Sequence, residues 1–326
     1  MSIISTKKLT KVFSSNVRAV DNLDLEIKGG QIFGFLGPNG AGKTTTLRML
    51  ATLIPIENGE ATVAGQDVRR QPSKVRQHVG YVGQLGGADH LATGREDLML
   101  QGQLYGMSAA DVKKRTEELI DVLDLREFAD RKGETYSGGQ RRRLEVALGI
   151  MHRPEVLFLD EPTTGLDPQN RANLWVQIRE LRDIGTTVFL TTHYLEEADA
   201  LSDELAIMDH GKIVAQGTSR ELKQQIAGDS VLFSFKNDGE IIEKAAQLFK
   251  LQPYVREVTK EGEHLRLCVQ DGAVSLPELL RLLDKENITV KTMALSEPTL
   301  DDVFLRKTGR SLRDAGPSHK EKGESK

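Results

Sequence analysis

The stretch "QIFGFLGPNGAGKTT" (residues 31–45) decides the fold, because it joins a buried strand to a glycine-rich loop and a helix. Its first half is a near-continuous apolar run, which is typical of a strand buried on both faces. Its second half fits the pattern G-x-x-x-x-G-K-[ST], and it lies between a predicted strand and a predicted helix, as that pattern requires. The alternative, a glycine turn that contains a lysine by chance, is disfavoured by this context.

This loop predicts a binding site for the phosphates of ATP. Its glycines let the backbone curl so that amides face the phosphates, and the following helix adds its dipole. Lys43 supplies a positive charge for the β- and γ-phosphates, and Thr44 offers a hydroxyl to Mg²⁺. The predicted nucleotide-binding residues of the loop are Gly37, Asn39, Gly40, Ala41, Gly42, Lys43, Thr44 and Thr45.

Two adjacent carboxylates follow another apolar run, "EVLFLDEP" (residues 155–162). A parallel strand that ends here brings Asp160 and Glu161 to the carboxyl edge of the sheet, where α/β folds bind ligands. Neighbouring side chains of a strand point to opposite sides, so the two are expected to have different roles. We predict that Asp160 holds Mg²⁺ through a coordinated water and that Glu161 deprotonates the attacking water. A solvated strand end is the alternative.

Three further residues are weaker candidates when each is taken alone. His193 ends the apolar strand "TTVFLTTH" (residues 186–193), where it is placed to sense the γ-phosphate and align Glu161, or is an ordinary strand-end histidine. Gln84 in "YVGQ" carries little information by itself. Phe13 in "LTKVFSS" either stacks on adenine or packs in the core.

The segment "YSGGQ" (residues 136–140) predicts a second helix start that faces phosphate. Ser137 and Gln140 form a capping box, while Gly138 and Gly139 leave the first amides bare, and a bare helix end attracts anions. A plain helix cap is the default interpretation. A long helical segment carries Ser137 away from Lys43, so if both loops bind one phosphate chain, they can come from two copies of the protein.

The chain divides into a large and a small domain. Residues 1–228 combine antiparallel strands, a helical segment at about 86–150 and a strand–helix–strand pattern that indicates a parallel sheet. Residues 229–309 have the order β-α-ββ-α-β, which suits a small ferredoxin-like module. The polar tail, 310–326, is expected to be disordered.

Composition excludes several classes of protein. The net charge of −4 gives no bulk attraction to nucleic acid or anionic lipid, so no nucleic-acid partner is expected. Cys268 is the single cysteine and cannot form an internal disulfide, which suits a reducing cytoplasm. The sequence lacks an apolar run of membrane-spanning length and a signal peptide, so membrane crossing would belong to another protein.

Together these motifs resemble the nucleotide-binding subunit of ABC transporters, over residues 3–228. "GPNGAGKTT" matches Walker A, "YVGQ" the Q-loop, "YSGGQRRRLEVA" the signature, "VLFLDEP" Walker B, "GLDP" the D-loop and "TTHYLEEAD" the H-loop. The resemblance implies a P-loop NTPase of the α/β class, with an antiparallel β subdomain and a helical subdomain. It implies a homodimer in which two subunits sandwich two ATP molecules. It also adds Gln84 to the Mg²⁺ ligands and Asp167 of the D-loop to the nucleotide-binding residues.

Within that family the chain is more similar to the daunorubicin-resistance type of antibiotic exporter. The segments "MLATLI", "TYSGGQRRRLEVA" and the terminal "TLDDVFL" carry this likeness, and the group has a small C-terminal domain. Two positions depart from the wider family: Tyr136 stands in place of the commoner leucine, and His193 stands where many relatives have glutamine. The presence of His193 favours a histidine-linked hydrolysis.

These observations predict an ATP-hydrolysing homodimer on the cytoplasmic side of the bacterial inner membrane. It would drive a separate multi-spanning permease that exports a drug, antibiotic or lipid-like compound, and the exported compound would not bind this chain. One alternative is a soluble ABC-type regulator that acts on ribosomes or DNA. Another is a nucleotide-binding scaffold with little turnover, which Glu161 and His193 argue against.

Overall fold

The computed structural model describes residues 2–14, 16–84, 87–225, 229–235, 239–296 and 298–312. Two compact units can be distinguished. The first comprises the chain up to Ser219 together with Leu312, and the second comprises Arg220–Ser311. The predicted boundary at Gly228 falls outside the described residues, as does the predicted tail from residue 313 onward.

The first unit begins with an antiparallel sheet, as the alternating sequence predicts. In β1, Ile4 and Leu9 are fully buried, whereas most neighbouring positions are partly or wholly exposed. The strand order is β2-β1-β4-β5. Its strands are β1 (Ser2–Val12), β2 (Arg18–Lys28), β4 (Asn58–Val63) and β5 (Gln66–Asp67).

A second sheet of the first unit positions the predicted site. Its order is β10-β9-β3-β8-β7-β6, in which β6, β7, β8, β3 and β9 are parallel and β10 is antiparallel. Every residue of β3, β7 and β8 is buried, as expected for a parallel sheet covered by helices on both faces. The strands are β3 (Ile32–Leu36), β6 (Val79–Val82), β7 (Val156–Asp160), β8 (Thr187–Thr192), β9 (Glu204–Asp209) and β10 (Lys212–Gly217).

The helices of the first unit include the predicted helical subdomain. Thr93 and Ser137 each form a reciprocal capping box, and the one at Ser137 confirms the predicted helix start. The helices are α1 (Lys43–Leu50), α2 (Pro72–His78), α3 (Gly94–Leu104), α4 (Ala109–Val122), α5 (Gly138–Gly149), α6 (Pro168–Asp183) and α7 (Leu195–Leu201). Buried side chains of α3, α4 and α5 share one hydrophobic core with the strands β7 and β8.

The second unit has the ferredoxin-like order that the sequence predicts. Its antiparallel sheet runs β12-β13-β11-β14, and α9 and α10 contribute Phe249 and Leu283 to the core behind it. The elements are α8 (Ser219–Gln225), β11 (Asp229–Phe235), α9 (Gly239–Lys250), β12 (Val255–Glu261), β13 (His264–Val269), α10 (Gly272–Lys285), β14 (Val290–Ser296) and α11 (Leu300–Thr308).

Across the part of the chain that the structure describes, no helix combines the length and the apolar character needed to cross a membrane.

Candidate nucleotide site

The loop after β3 is held in its curled form by close backbone packing. At Gly37 a Cβ atom would lie 2.3 Å from the Met208 carbonyl oxygen. Gly42 has a φ of +104°, and a Cβ there would lie 2.2 Å from the carbonyl oxygen of Ala19. Both positions therefore require glycine, because any side chain would force strand backbone apart. Asn39 and Gly40 lie exposed at the tip of the loop.

Lys43 lies at the buried start of α1, beneath this loop. Its Nζ donates to the carbonyl oxygens of Gly37 at 2.7 Å and Pro38 at 3.0 Å, and lies 4.0 Å from Oε1 of Glu161. Burial lowers the pKa of Lys43, and the nearby carboxylates of Glu161 and Asp160 oppose that shift. The amine is thus a buried donor at the loop, in the place where the sequence predicts a phosphate-binding charge.

Asp160 ends β7 as a fully buried carboxylate. Its Oδ1 accepts hydrogen bonds from the hydroxyls of Thr44 at 2.8 Å and Thr191 at 2.7 Å. Within the described ranges, its other oxygen, Oδ2, has no hydrogen-bond partner. Burying a carboxylate oxygen costs free energy unless a hydrogen bond or a cation compensates for the lost water. Mg²⁺ prefers oxygen ligands, and a carboxylate beside a hydroxyl supplies them. Asp160 and Thr44 therefore fit the predicted metal site.

The next residue, Glu161, turns its carboxylate to a different set of partners. Its Oε2 accepts from Gln84 Nε2 at 3.1 Å and from the Thr164 hydroxyl at 3.2 Å. Its Oε1 lies 3.3 Å from Nδ1 of His193, a close contact that lacks hydrogen-bond alignment. The neighbouring His193 lowers the pKa of Glu161, burial opposes this effect, and Lys43 lowers the pKa further. Glu161 is therefore ionised at neutral pH.

The strand order explains why these residues meet. The parallel strands β3, β8, β7 and β6 are neighbours in the sheet, so their carboxyl ends lie side by side. The loop before Lys43 follows β3, and His193 follows β8. Glu161 follows β7, and Gln84 lies just after β6. The structure thus brings the predicted base, histidine and glutamine together beside the P-loop. Gln84, which we predict to bind Mg²⁺, here donates its amide to Glu161.

The start of α5 is exposed at Ser137 and Gly138. The Ser137 hydroxyl accepts from the Gln140 amide at 3.2 Å, and Gln140 Oε1 accepts from the Ser137 amide at 3.0 Å. Among the described residues, the amides of Gly138 and Gly139 have no hydrogen-bond acceptor, and no hydrogen bond or ion pair joins residues 137–140 to residues 37–45. The side chains cap the helix, and two backbone donors are left free.

Two further predicted residues lie outside this cluster of contacts. Asp167 is exposed and caps α6, because its carboxylate accepts from the Asn170 amide at 2.9 Å. Phe13 follows β1 at the tip of the first hairpin, where 42% of it is exposed and Lys11 Nζ lies 5.6 Å from its ring centroid. An exposed ring with a cation above it is a surface residue, which excludes the core-packing alternative.

Three residues of the site were not identified from the sequence. Thr191 orients Asp160, Thr164 contacts Glu161, and Arg142 donates to the carbonyl oxygens of Asp160 and Pro162. Both threonines are close in sequence to predicted site residues: Thr191 in "LTTH" and Thr164 in "EPTT". A hydroxyl residue so close to a predicted site residue at the end of a strand could have indicated both of them. Arg142 had no such signal, since "RRR" resembles a solvated helix face.

Family models and solved structures show the class of protein to which this chain belongs. The family model for ABC transporters matches residues 20–164, and a model for the C-terminal domain of DrrA1-3-like ATP-binding proteins matches residues 217–308. A solved dimeric ATP-binding cassette bound to ADP and phosphate is similar at a TM-score of 0.60 and 25% identity, covering 66% of this chain and 98% of that one. The predicted fold class is therefore confirmed, and this chain is an ATP-hydrolysing ABC protein.

Relatives that match almost the whole chain show the group within this class. The chain is 43% identical to the daunorubicin/doxorubicin resistance ATP-binding protein DrrA of Streptomyces peucetius, over 95% of this chain and 94% of the relative. It is 35% identical to the linearmycin resistance ATP-binding protein LnrL of Bacillus subtilis, over 90% and 95% of the two chains. The chain belongs to the DrrA-like family of ABC transporter ATP-binding proteins, which confirms the resemblance that the sequence motifs indicate.

Proposed function

We propose that this chain is the ATPase subunit of a bacterial exporter and that Glu161 is the general base of hydrolysis. The carboxylate of Glu161, held by Gln84 and Thr164 beside the P-loop, is the observation that supports this role most. Glu161 takes a proton from water as the water oxygen attacks the γ-phosphorus. The bond from the γ-phosphorus to the bridging oxygen breaks, and ADP and phosphate leave. A positioned base of this kind contributes about 10²–10⁴ in rate.

Asp160 and Thr44 are the residues that would hold Mg²⁺. The carboxylate oxygen Oδ2 of Asp160 would accept a hydrogen bond from a water bound to the ion, and the Thr44 hydroxyl donates to Oδ1 of the same carboxylate. When bound, the ion neutralises charge on the β- and γ-phosphates. Thr191 keeps Asp160 oriented toward this role by its 2.7 Å hydrogen bond.

The signature residues Ser137 to Gln140 complete the ATP site of the second chain in a homodimer. The free amides of Gly138 and Gly139 meet the γ-phosphate held by the partner's P-loop, and the helix dipole adds to the attraction. Two such sites sandwich two ATP molecules. Asp167, exposed at the start of α6, and Phe13, exposed at the tip of the first hairpin, complete the predicted nucleotide contacts.

A separate membrane permease is the proposed partner, docked on a groove beside the Q-loop. The groove has a volume of about 340 Å³ and runs between the sheet and α3. Two of its large apolar lining residues are exposed, Leu53 at 51% and Tyr105 at 40%. Leu104, the last residue of α3, lies directly before Tyr105 and is 73% exposed. Apolar side chains gathered around a concave surface mark a protein-docking site. Gly83 also lines the groove, directly before the Gln84 that contacts Glu161.

The exported compound is then a drug, antibiotic or lipid-like molecule handled by the permease, and the ATPase lies on the cytoplasmic side of the membrane. The resistance named in the two relatives supports this substrate class. Residues 229–309 are an accessory domain that steadies the dimer, and residues 1–228 carry the nucleotide chemistry.

The function is tested by co-expressing the tagged chain with the membrane protein encoded beside it. We expect the two to co-purify from detergent, and we expect Leu53→Asp to break the complex. Ile184→Asp is the matched control, because Ile184 is 71% exposed and lies outside the groove. Inside-out vesicles that contain the complex should take up daunorubicin with ATP and lose that uptake with Glu161→Gln. An active ATPase that never associates with the membrane protein would instead favour the regulatory alternative.

A further inference from the structure

Arg142, in the middle of α5, is a buried guanidinium at the centre of the catalytic motifs. It is 7% exposed, and its charge is balanced by Glu145, which is equally buried. Four acceptors surround it: the carbonyl oxygens of Pro162 at 2.8 Å, Gly83 at 2.7 Å and Asp160 at 3.2 Å, and the Glu145 carboxylate at 3.0 Å. One side chain of the signature helix thus binds the end of Walker B and the start of the Q-loop.

The backbone that Arg142 binds is strained at Glu161. The φ of Glu161 is +48°, a left-handed conformation that is unfavourable for a residue with a Cβ atom. Such a conformation persists only where the surroundings impose it. The Glu161 amide donates to the Thr191 carbonyl and hydroxyl oxygens, at 3.2 and 3.0 Å. The carbonyl groups before and after Glu161 both accept from Arg142.

We propose that Arg142 is a positioning residue for ATP hydrolysis, because it holds the backbone of Glu161 in the conformation that aims its carboxylate. It also fixes the Gly83 carbonyl, directly before the Gln84 that donates to the same carboxylate. This inference rests on the proposed role of Glu161 as the base. Arg142 makes no contact with the P-loop among the described residues, so its effect is on turnover and not on ATP affinity.

The geometry requires arginine and not merely a positive charge. A guanidinium directs five N–H donors in fixed directions, so one side chain can donate to all four acceptors at once. A lysine ammonium keeps the charge that balances Glu145, but it is a compact group that cannot reach acceptors from two separate loops at once. Arg142→Lys therefore separates the geometric role from the electrostatic one.

The test measures kcat and the dissociation constant for ATP in Arg142→Lys. We expect kcat to fall by about 10²-fold, the size that a displacement of roughly 1 Å at a reacting group produces, with the ATP dissociation constant unchanged. Arg143→Lys is the matched control. Arg143 follows on the same helix, but it donates to Asp124 and lies over the Phe128 ring. We expect its kcat to stay near the native value.

A double-mutant comparison separates positioning from a loss of folded protein. In the Glu161→Gln background, Arg142→Lys should cause no further loss, because both residues act through one carboxylate. A merely structural role would reduce activity by the same factor in both backgrounds. Should the buried charge prevent Arg142→Lys from folding, Arg142→Gln combined with Glu145→Gln removes both charges, and Glu145→Gln alone is its control.

The outcomes distinguish this inference from the proposed function. If Glu161→Gln hydrolyses ATP normally, the proposed base is wrong and the positioning role falls with it. If Glu161→Gln is inactive while folded Arg142→Lys turns over at the native rate, only the positioning role is overturned. A fall in kcat that is matched by weaker ATP binding would likewise contradict it.

Discussion

Two regions of the first unit that we propose to bind phosphate are built in different ways. The nucleotide edge, formed by residues 37–45 with Gln84, Asp160, Glu161 and His193, gathers side chains from four neighbouring strands. The signature end, residues 137–140, uses its side chains in its own capping box and leaves two backbone amides free. The first region gathers its proposed catalytic side chains within one chain, whereas the second offers backbone donors that find no acceptor among the described residues of the same chain.

This difference shows what a single chain lacks. Each chain holds one set of the side chains that we propose to be catalytic and one helix end with free amides, and within the described residues no hydrogen bond or ion pair joins the two. Two chains arranged head to tail would form two sites, each with the side chains of one chain and the helix end of the other. The comparison is sharpest where a substitution is expected to affect one region and leave the other intact.

The largest expected effect is that of Glu161→Gln at the nucleotide edge. The change keeps the shape of the side chain and removes the base, so turnover should fall by about 10²–10⁴ while ATP still binds. Because ATP is then not consumed, it should hold two chains together. Turnover and the gel-filtration mass with ATP and Mg²⁺ measure this, and near-native turnover would exclude Glu161 as the base.

A smaller effect is expected for His193→Ala, with a signature in the pH profile. Without His193 the carboxylate of Glu161 loses a close neighbour that helps to fix its position, and a small misplacement of a catalytic group costs up to about 10²-fold in rate. Because His193 is the largest influence that lowers the pKa of Glu161, its removal should raise that pKa. Hydrolysis requires the ionised carboxylate, so it is lost as pH falls through the folded pKa.

The acidic limb of kcat/KM should therefore move to higher pH in His193→Ala. Tyr194→Ala serves as the neighbouring control, since Tyr194 contacts the His193 ring but not Glu161. An acidic limb at the same pH in native and His193→Ala proteins would show that His193 does not tune Glu161.

The smallest effect is expected directly before the signature end, in Tyr136→Phe. The Tyr136 hydroxyl accepts from the Gly94 amide at 3.0 Å and donates to the Phe128 carbonyl at 2.8 Å, in a buried environment. Its loss leaves buried groups unpaired and should reduce the free energy of unfolding by about 1–3 kcal/mol. ATP affinity should not change, because the P-loop is untouched. Thermal unfolding and ATP titration check both parts, and weakened ATP binding would contradict the separation of the two regions.

The sequence predicted what depends on local pattern. The glycine-lysine motif at 37–45, the capping box of Ser137 and the buried strands that end at Asp160 and just before His193 can each be recognised from residues close in the chain. Thr191 on Asp160 and Arg142 on the Glu161 backbone depend on which strands and helices are neighbours, and periodicity does not encode that order. The left-handed backbone at Glu161 also had no local signal, because glutamate rarely adopts it.

The central claim is that each ATP site combines the nucleotide edge of one chain with the signature end of the other. One subunit carries Lys43→Ala, which removes the phosphate-binding charge. The second carries Gly138→Asp, which puts a carboxylate against the γ-phosphate. Gly138 suits this purpose better than Gly139: a Cβ at Gly138 meets only a Leu166 methyl at 3.9 Å, whereas one at Gly139 would clash with the Asn170 side chain, 2.5 Å from its Cγ.

The decisive measurement is single-turnover ATP hydrolysis by the mixed dimer, purified with two different tags. Each mutant homodimer should be inactive. In the mixed dimer both lesions fall in one site, and the other site pairs an intact P-loop with an intact signature end, so we predict that hydrolysis returns. Hydrolysis no better than in either homodimer, with ATP still bound at the intact P-loop, would contradict a site shared between two chains.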